Sequence, residues 1–172
     1  MESLQHVTVH GHREVAITKE VTMSAKRDNW SAYYSRVRNR THSQNVQRAV
    51  DSVRSDRKVA VDCGCGAGSD AQFLIGKGYR VHAFDINPES VDLCRARVGN
   101  DSDSSVKLAS FESFTYPSAD LVVANASLFF CPPGAFAEVW ACIRSCLAPG
   151  GGFCGDFLGP DDSWAHQGSE SR

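Results

Sequence analysis

Between residues 58 and 158, short apolar runs alternate with segments whose apolar residues recur every three or four positions. The run KVAVDC (58–63) reads as a short buried strand. After the glycine-rich stretch that follows it, Ala71, Leu74 and Ile75 share one helical face, and Gly76 and Gly78 end that helix. RVHAFDI (80–86) is a second strand, and Asn87 or Pro88 opens a helix whose inner face is Val91, Cys94 and Val98. NDSDSS is a loop, SVKLAS (105–110) a third strand and ADLVVANA (119–126) a fourth. Pro132 and Pro133 precede a helix with Phe136, Val139, Trp140, Ile143 and Leu147 inward. PGG then makes a turn into a fifth strand, GGFCGDFL (151–158). Upstream, NWSAYYSRVRNRTHSQNVQRAVDSV holds two helical pieces, the second marked by Val46, Ala49, Val50 and Val53. Residues 1–25 show no period and read as a disordered extension, with Met23 as an alternative start to Met1.

Strands alternating with helices at this spacing predict an α/β fold: a Rossmann-like, doubly wound, mostly parallel sheet. The expected organisation is an extension over 1–25, one domain over 26–165 and a tail over 166–172. A hydrophobic content of 42% in 172 residues suffices for one such core.

Net charge is −2, which gives no reason to expect a nucleic-acid or membrane surface, and no basic patch with interleaved aromatics suggests RNA or DNA. The charge is unevenly spread: residues 1–60 hold 11 Lys/Arg against 6 Asp/Glu, and the remainder is acidic. A basic N-terminal arm beside an acidic domain is the reading taken; a polyanion-binding arm is its alternative. The seven cysteines, an odd number scattered through core segments, fit a reducing cytoplasm better than a disulfide framework. Cys63 and Cys65 form C-x-C with no His nearby in sequence, so no metal site is expected. No apolar run approaches the ~20 residues of a membrane span.

The chemistry concentrates in VAVDCGCGAGSD (59–70), where Gly64, Gly66 and Gly68 alternate just beyond a strand. Such a comb suggests that something approaches the backbone closely. In a doubly wound sheet ligands sit beyond the carboxyl ends of the strands, and this first loop is the usual place. A dinucleotide fingerprint, G-x-G-x-x-G, would need its third glycine at Ser69. Asp62, two residues before the first glycine, is ill suited to a diphosphate and suits an ammonium group. Asp85 closes the second strand, 23 residues on, where a carboxylate can accept from both hydroxyls of a ribose. An amino acid joined to a nucleoside without phosphates answers both acids, and that description is S-adenosylmethionine.

VDCGCGAGSD, AFDINPESV, ASFESF and LAPGGGF resemble the successive motifs of class I S-adenosylmethionine-dependent methyltransferases. WSAYY, NASLFFCPP and GDFLGPDDSW are similar to the small methyltransferases of the tellurite-resistance type. The resemblance covers roughly residues 28–165 and implies methyl transfer to a small-molecule acceptor. It implies that Asp62 and the backbone of Gly64, Cys65, Gly66 and Gly68 hold the methionyl end. Asp85 would hold the ribose, Ile86 would lie against the adenine, and Ser110 and Phe111 would meet the adenine edge. Asn125 and Ala126 would lie near the sulfonium. Tyr33, Tyr34 and Arg40 match a lid region, where Arg40 would meet the cofactor carboxylate. Phe111 has a plain core alternative, and the tyrosines a packing one.

No residue is nominated as catalytic. Cys131 and His166 are the accessible guesses for a general base, should the acceptor need one. The resemblance also implies a helix and a reversed hairpin after strand five, whereas only GPDDSWAHQGSESR follows. The expectation is therefore a shortened form whose sheet ends at strand five with a bare edge and self-associates through it. A cofactor-binding protein without turnover and a nicotinamide-dependent oxidoreductase are the alternative functions.

Overall fold

Two segments, VAVDC and ADLVVA, are buried at every position. A strand with no solvent face has to lie inside a sheet covered on both sides, which is the environment of central parallel strands. The computed structural model describes residues 40–99, 103–157 and 159. Its elements run α1 (Gln44–Ser52), β1 (Val59–Cys63), α2 (Ser69–Gly76), β2 (Arg80–Asp85), α3 (Pro88–Val98), β3 (Ser105–Leu108), β4 (Ala119–Ala124), a 3-10 turn (Leu128–Phe130), α4 (Pro133–Cys146) and β5 (Leu147–Gly155). The five strands pair in the order β3-β2-β1-β4-β5, all parallel. The chain winds outward from β1 through β3 and then returns to β4 beside β1, so the strand order reverses between β1 and β4. Loops leaving the carboxyl ends of those two strands diverge to opposite faces and leave a crevice.

Alternation along β1 sorts its side chains into two cores. Val59, Val61 and Cys63 pack with Phe84, Val122, Val139 and Ile143. Ala60 packs with Val46, Ala49, Ala71, Leu74, Val81 and Leu121. Helices α1 and α2 thus cover one face and α4 the other. The helix starts follow local chemistry. Ser43 caps α1 by accepting the Asn45 N–H at 3.2 Å. Asn87 caps α3 by accepting the Glu89 N–H at 2.9 Å, with Pro88 at the first helical position, where its missing N–H costs nothing.

The fifth strand begins earlier than the pattern predicts. LAPGG does not form a separate turn but enters β5, and the register to β4 slips between Ala119 and Leu121. Gly150 at φ 78° absorbs the irregularity. Strands two, three and four also end one to two residues sooner than expected, at Asp85, Leu108 and Ala124. The apolar faces expected to be bare on β5 are partly covered. Phe153 is half-buried, with its ring edge-on to Trp140 of α4 at 5.0 Å, while Phe157 remains 54% exposed. Leu158, the extension over 1–25, the first helical piece with Tyr33 and Tyr34, and the tail with His166 lie outside the described residues. Among the described residues no helix is long and apolar enough to cross a membrane.

One buried charge holds the rear of the sheet. Asp120 on β4 is fully buried and accepts the Ser55 hydroxyl at 2.7 Å and the Val59 N–H at 2.8 Å. It thereby fixes the entry into β1. Asp120→Ala orphans both donors and is expected to cost about 2–4 kcal/mol of unfolding free energy. Asp120→Asn keeps one acceptor and turns an amide N–H toward the other donor, so roughly half that loss is expected. Denaturant titration of the three proteins checks the order.

Candidate functional site

Beyond Cys63 the chain passes through three left-handed glycines, Gly64 at φ 72°, Gly66 at 51° and Gly68 at 78°. Only glycine takes this conformation without strain. The three positions differ in what surrounds them. A Cβ on Gly64 would stand 2.6 Å from Ser127 Cβ, and one on Gly68 would stand 2.7 Å from Cys94 Sγ and 3.0 Å from Cys94 Cα. A Cβ on Gly66 would meet nothing within 4 Å. Two teeth of the comb therefore admit the protein's own segments, the exit of β4 and helix α3, and only Gly66 opens onto space.

The main-chain donors of this loop are also engaged. The N–H groups of Gly64 and Cys65 both donate to the Phe84 carbonyl at 2.9 Å. Gly68 N–H donates to the Cys65 carbonyl at 2.9 Å, and Gly66 N–H to Asp85 Oδ2 at 2.9 Å. The loop's N–H groups at these four positions bind it to β2 and to itself.

Three carboxylates gather around the loop. Asp62, on β1, is 3% exposed, and its Oδ2 has no hydrogen-bond partner among the described residues. Burial pushes its carboxyl well above the ordinary value of 3.8, helped by the neighbouring charges of Asp70, Cys94 and Asp85 and opposed by the Ala71 N–H. Asp85, last residue of β2, is also pushed up by burial, against hydrogen bonds from Asn87, Gly66, Ser90 and Ile86. Its Oδ1 accepts the Asn87 N–H and its Oδ2 the Gly66 N–H, both at 2.9 Å. Asp70, in the first turn of α2, accepts the Ser43 N–H at 2.7 Å and Asn125 Nδ2 at 3.2 Å. Two ion pairs to protein cations, Arg57–Asp120 at 3.9 Å and Arg95–Asp92 at 3.6 Å, lie among the described residues, and neither involves these three acids.

The remaining expected residues surround this cluster unevenly. Ile86 follows Asp85 and is 73% exposed, a large apolar surface with no cover. Ser110 and Ser113 hydrogen-bond each other in the turn after β3. Phe111 is half-buried and edge-on to Phe84 at 5.6 Å. Asn125 is the first residue after β4, and Ala126 holds φ at 52° with its N–H donated to Asp156 Oδ2 at 2.8 Å. Arg40 is exposed, three residues before Ser43. Cys131 is buried rather than accessible, and burial together with Glu112 raises its thiol, which removes it as a general base. Among the described residues no group of His, Cys, Asp or Glu is arranged to hold a metal. A hollow of about 680 Å³ lined by Arg57, Lys58, Tyr79 and Arg80 lies at the opposite end of the strands.

Asp70, Ser127 and Asp156 do not stand out by pattern. Asp70 looks like an ordinary first-turn acid, and Ser127 and Asp156 are single polar residues in loops. Ser127 donates its hydroxyl to the Cys63 carbonyl, closing the other wall of the crevice.

A cationic amino-acid group would complement the Asp62 oxygen, a vicinal diol the carboxylate of Asp85, and a ligand backbone the open space at Gly66. S-adenosylmethionine carries all three, and the residues present fit it. The fold is the Rossmann-like α/β fold that solved S-adenosylmethionine-dependent methyltransferases share. The chain belongs to the methyltransferase-domain family, whose pattern matches residues 60–151, more than half of its length.

Solved structures share the fold. A TehB-like S-adenosylmethionine-dependent methyltransferase of Corynebacterium glutamicum matches with a TM-score of 0.59 and 18% identity, over 74% of this chain and 70% of that one. The N-methyltransferase NodS of Bradyrhizobium japonicum gives 0.54 and 20%, over 74% and 65%. A chain of the complex between the Haloferax volcanii Trm112 methyltransferase activator and a methyltransferase gives 0.60 and 24%, over 73% and 56%. The present chain thus spans little more than half the length of this last relative. No curated protein sequence matches the chain.

The loop and the acids can be tested separately. Gly68→Ala combines left-handed strain with a collision against Cys94 and is expected to cost about 2–4 kcal/mol, whereas Gly66→Ala costs only the strain, about 1–2 kcal/mol. Equilibrium unfolding of the ligand-free proteins separates them. Asp62 titrates above its unfolded value, so its contribution to stability is full below about pH 4 and is lost as pH rises through the folded value. Asp62→Asn removes that loss. The melting temperature of the variant should therefore rise relative to wild type as pH increases from about 4, a difference that thermal melts across pH measure directly.

Proposed function

We propose that this chain transfers the methyl group of S-adenosylmethionine to a small-molecule acceptor. The observation that carries the reading is the buried Oδ2 of Asp62, without a partner among the described residues, together with the open space at Gly66, four residues further along the chain. Leaving such a group unmatched is costly, and a ligand ammonium satisfies it. The rest of the cofactor follows from strand order. With its amino-acid end over β1 and its ribose on Asp85 at the end of β2, the adenine extends toward β3, between exposed Ile86 and the turn holding Ser110 and Phe111. The sulfonium then faces the remaining neighbour of β1, the exit of β4, where Asn125 and Ala126 sit. Arg40 would approach the cofactor carboxylate from the segment leading into α1.

The bound cofactor supplies an already activated methyl group. What the protein adds is position and dryness. Asp62 and Asp85 fix two points of the ligand, and the loop cannot shift away from β2 without breaking three hydrogen bonds, two to the Phe84 carbonyl and one to Asp85 Oδ2. The motifs WSAYY, NASLFFCPP and GDFLGPDDSW, similar to those of the small methyltransferases, support a small acceptor over a macromolecule.

Calorimetry tests the assignment. S-adenosylmethionine and S-adenosylhomocysteine should bind and NAD should not. Asp85→Ala should weaken binding by about 2–4 kcal/mol, the worth of hydrogen bonds to a charged acceptor discounted for water. Tighter binding of NAD than of S-adenosylhomocysteine, or an unchanged affinity in the variant, would overturn the reading. Binding without methyl transfer to any acceptor would leave a cofactor-binding protein in its place.

A further inference from the structure

The end of the sheet away from the glycine loop carries a second concentration of charge, of the opposite sign. Arg57 and Lys58 lead into β1, Lys77 follows α2, Arg80 opens β2 and Arg54 follows α1. The parallel pairing of β1 with β2 sets Val59 opposite Arg80 and so brings these segments together. They line two hollows of about 680 and 480 Å³, and Lys58 and Tyr79 belong to both. Asp56 and Asp103 are the acids of the lining. Five cations thus meet two acids, in a chain whose net charge is −2.

This face differs from an ordinary solvated surface. Lys58 holds φ at 53°, a conformation that costs a non-glycine residue about 1–2 kcal/mol. Such strain persists where the surroundings over-determine it. Here the Lys58 carbonyl accepts the Arg80 N–H at 2.8 Å, and the next N–H, that of Val59, is taken by Asp120 at 2.8 Å. The Lys58 ammonium is anchored too, donating to the Lys77 carbonyl at 3.0 Å. Tyr79 is 5% exposed yet lines both hollows, and its hydroxyl makes no hydrogen bond with the described residues. A buried phenol normally finds a partner. Among the described residues, Arg57–Asp120 at 3.9 Å is the one ion pair that engages any of the five cations. Like charges gathered without counter-charge oppose the compact state, and a bound anion relieves that.

We infer that the two hollows form one binding site for a small molecule carrying a chain of phosphate groups. The guanidinium groups of Arg54 and Arg80 are planar forks that match phosphate oxygens in pairs. Lys58 supplies a point charge on the wall that both hollows share, and the Tyr79 hydroxyl is a donor at that same wall. A chain of phosphates, unlike a single one, can meet cations spread over two hollows. Concave spaces of this volume suit a small ligand. A long nucleic acid fits less well, because residues 61–172 hold 14 Asp/Glu against 7 Lys/Arg and would repel phosphates running past the hollows. The site's place at the amino ends of β1 and β2 sets it apart from the cofactor proposed above and makes it independent of that reading.

Calorimetry with inorganic triphosphate, orthophosphate and ATP tests this, with amide chemical shifts to locate the binding. Triphosphate should bind the wild type at least about tenfold more tightly than orthophosphate, and shift the amides of Lys58, Gly78 and Tyr79. Lys58→Gly removes the ammonium while relieving the left-handed strain, and Arg80→Gln removes one charge at an exposed position. Each should weaken triphosphate by roughly tenfold, the worth of one hydrogen bond to a charged group. Tyr79→Phe deletes the hydroxyl alone and should weaken it severalfold. Melting temperatures of the variants should stay within a few degrees of wild type. Equal affinity for triphosphate and ATP assigns the phosphate chain alone, and tighter binding of ATP assigns a nucleotide; both support the site. Absence of triphosphate binding at low salt, orthophosphate bound as tightly, or an affinity unchanged in both charge variants overturns the inference. So do shifts confined to Gly64–Gly68, or a single-stranded RNA bound more tightly than triphosphate.

Discussion

The structure is organised around a carboxylate that is buried before its partner has arrived. Asp62 stands on a strand covered on both faces, and one of its oxygens finds no donor among the described residues. Burial of this kind opposes folding. It persists because the central strand needs both faces covered to hold the sheet, and because the strand has to end where the chain reverses its winding. The glycine loop, the clasp of Asp85 on Gly66 and the contact of Ser127 with Cys63 are all arrangements that bring chain around this one group without satisfying it. The free protein is thus less stable than its hydrophobic content would allow, and the missing stabilisation is what a ligand supplies.

Asp85 shows how one side chain can serve the fold and the ligand together. Its two bonds to main-chain N–H groups join the tip of β2 to the loop after β1 and to the cap of α3. The same bonds hold its carboxylate in a fixed orientation. A carboxylate free to rotate would lose orientation entropy on meeting a diol; this one is already held, so less is lost on binding.

Much of this was legible in the sequence, and the reasons for the gaps are physical. The central strands and the helices show in apolar spacing because burial imposes it, residue by residue. The start of β5 did not show, because Leu147–Gly151 enter the sheet through a slip in register that depends on where Ala119 and Leu121 lie, not on local pattern. Asp62 and Asp85 could be singled out because they sit at or one residue before the carboxyl ends of strands, places fixed by topology. The glycines could be recognised but not explained: their collisions are with Ser127 and Cys94, which only the folded chain brings near. Asp70 was invisible for the same reason, its partners lying 27 and 55 residues away.

The unequal surroundings of the three glycines bear on how such a protein can change over generations. Gly64 and Gly68 answer to the fold, since any side chain there strikes a neighbouring segment whether or not a cofactor is ever bound. Gly66 meets no such neighbour, and in the proposed reading it and the oxygen of Asp62 answer to the ligand as well. A lineage released from its cofactor would keep the outer two glycines and let the middle one and the acid drift. A glycine comb by itself is therefore a record of ancestry in folding, and current employment is written in Gly66 and Asp62.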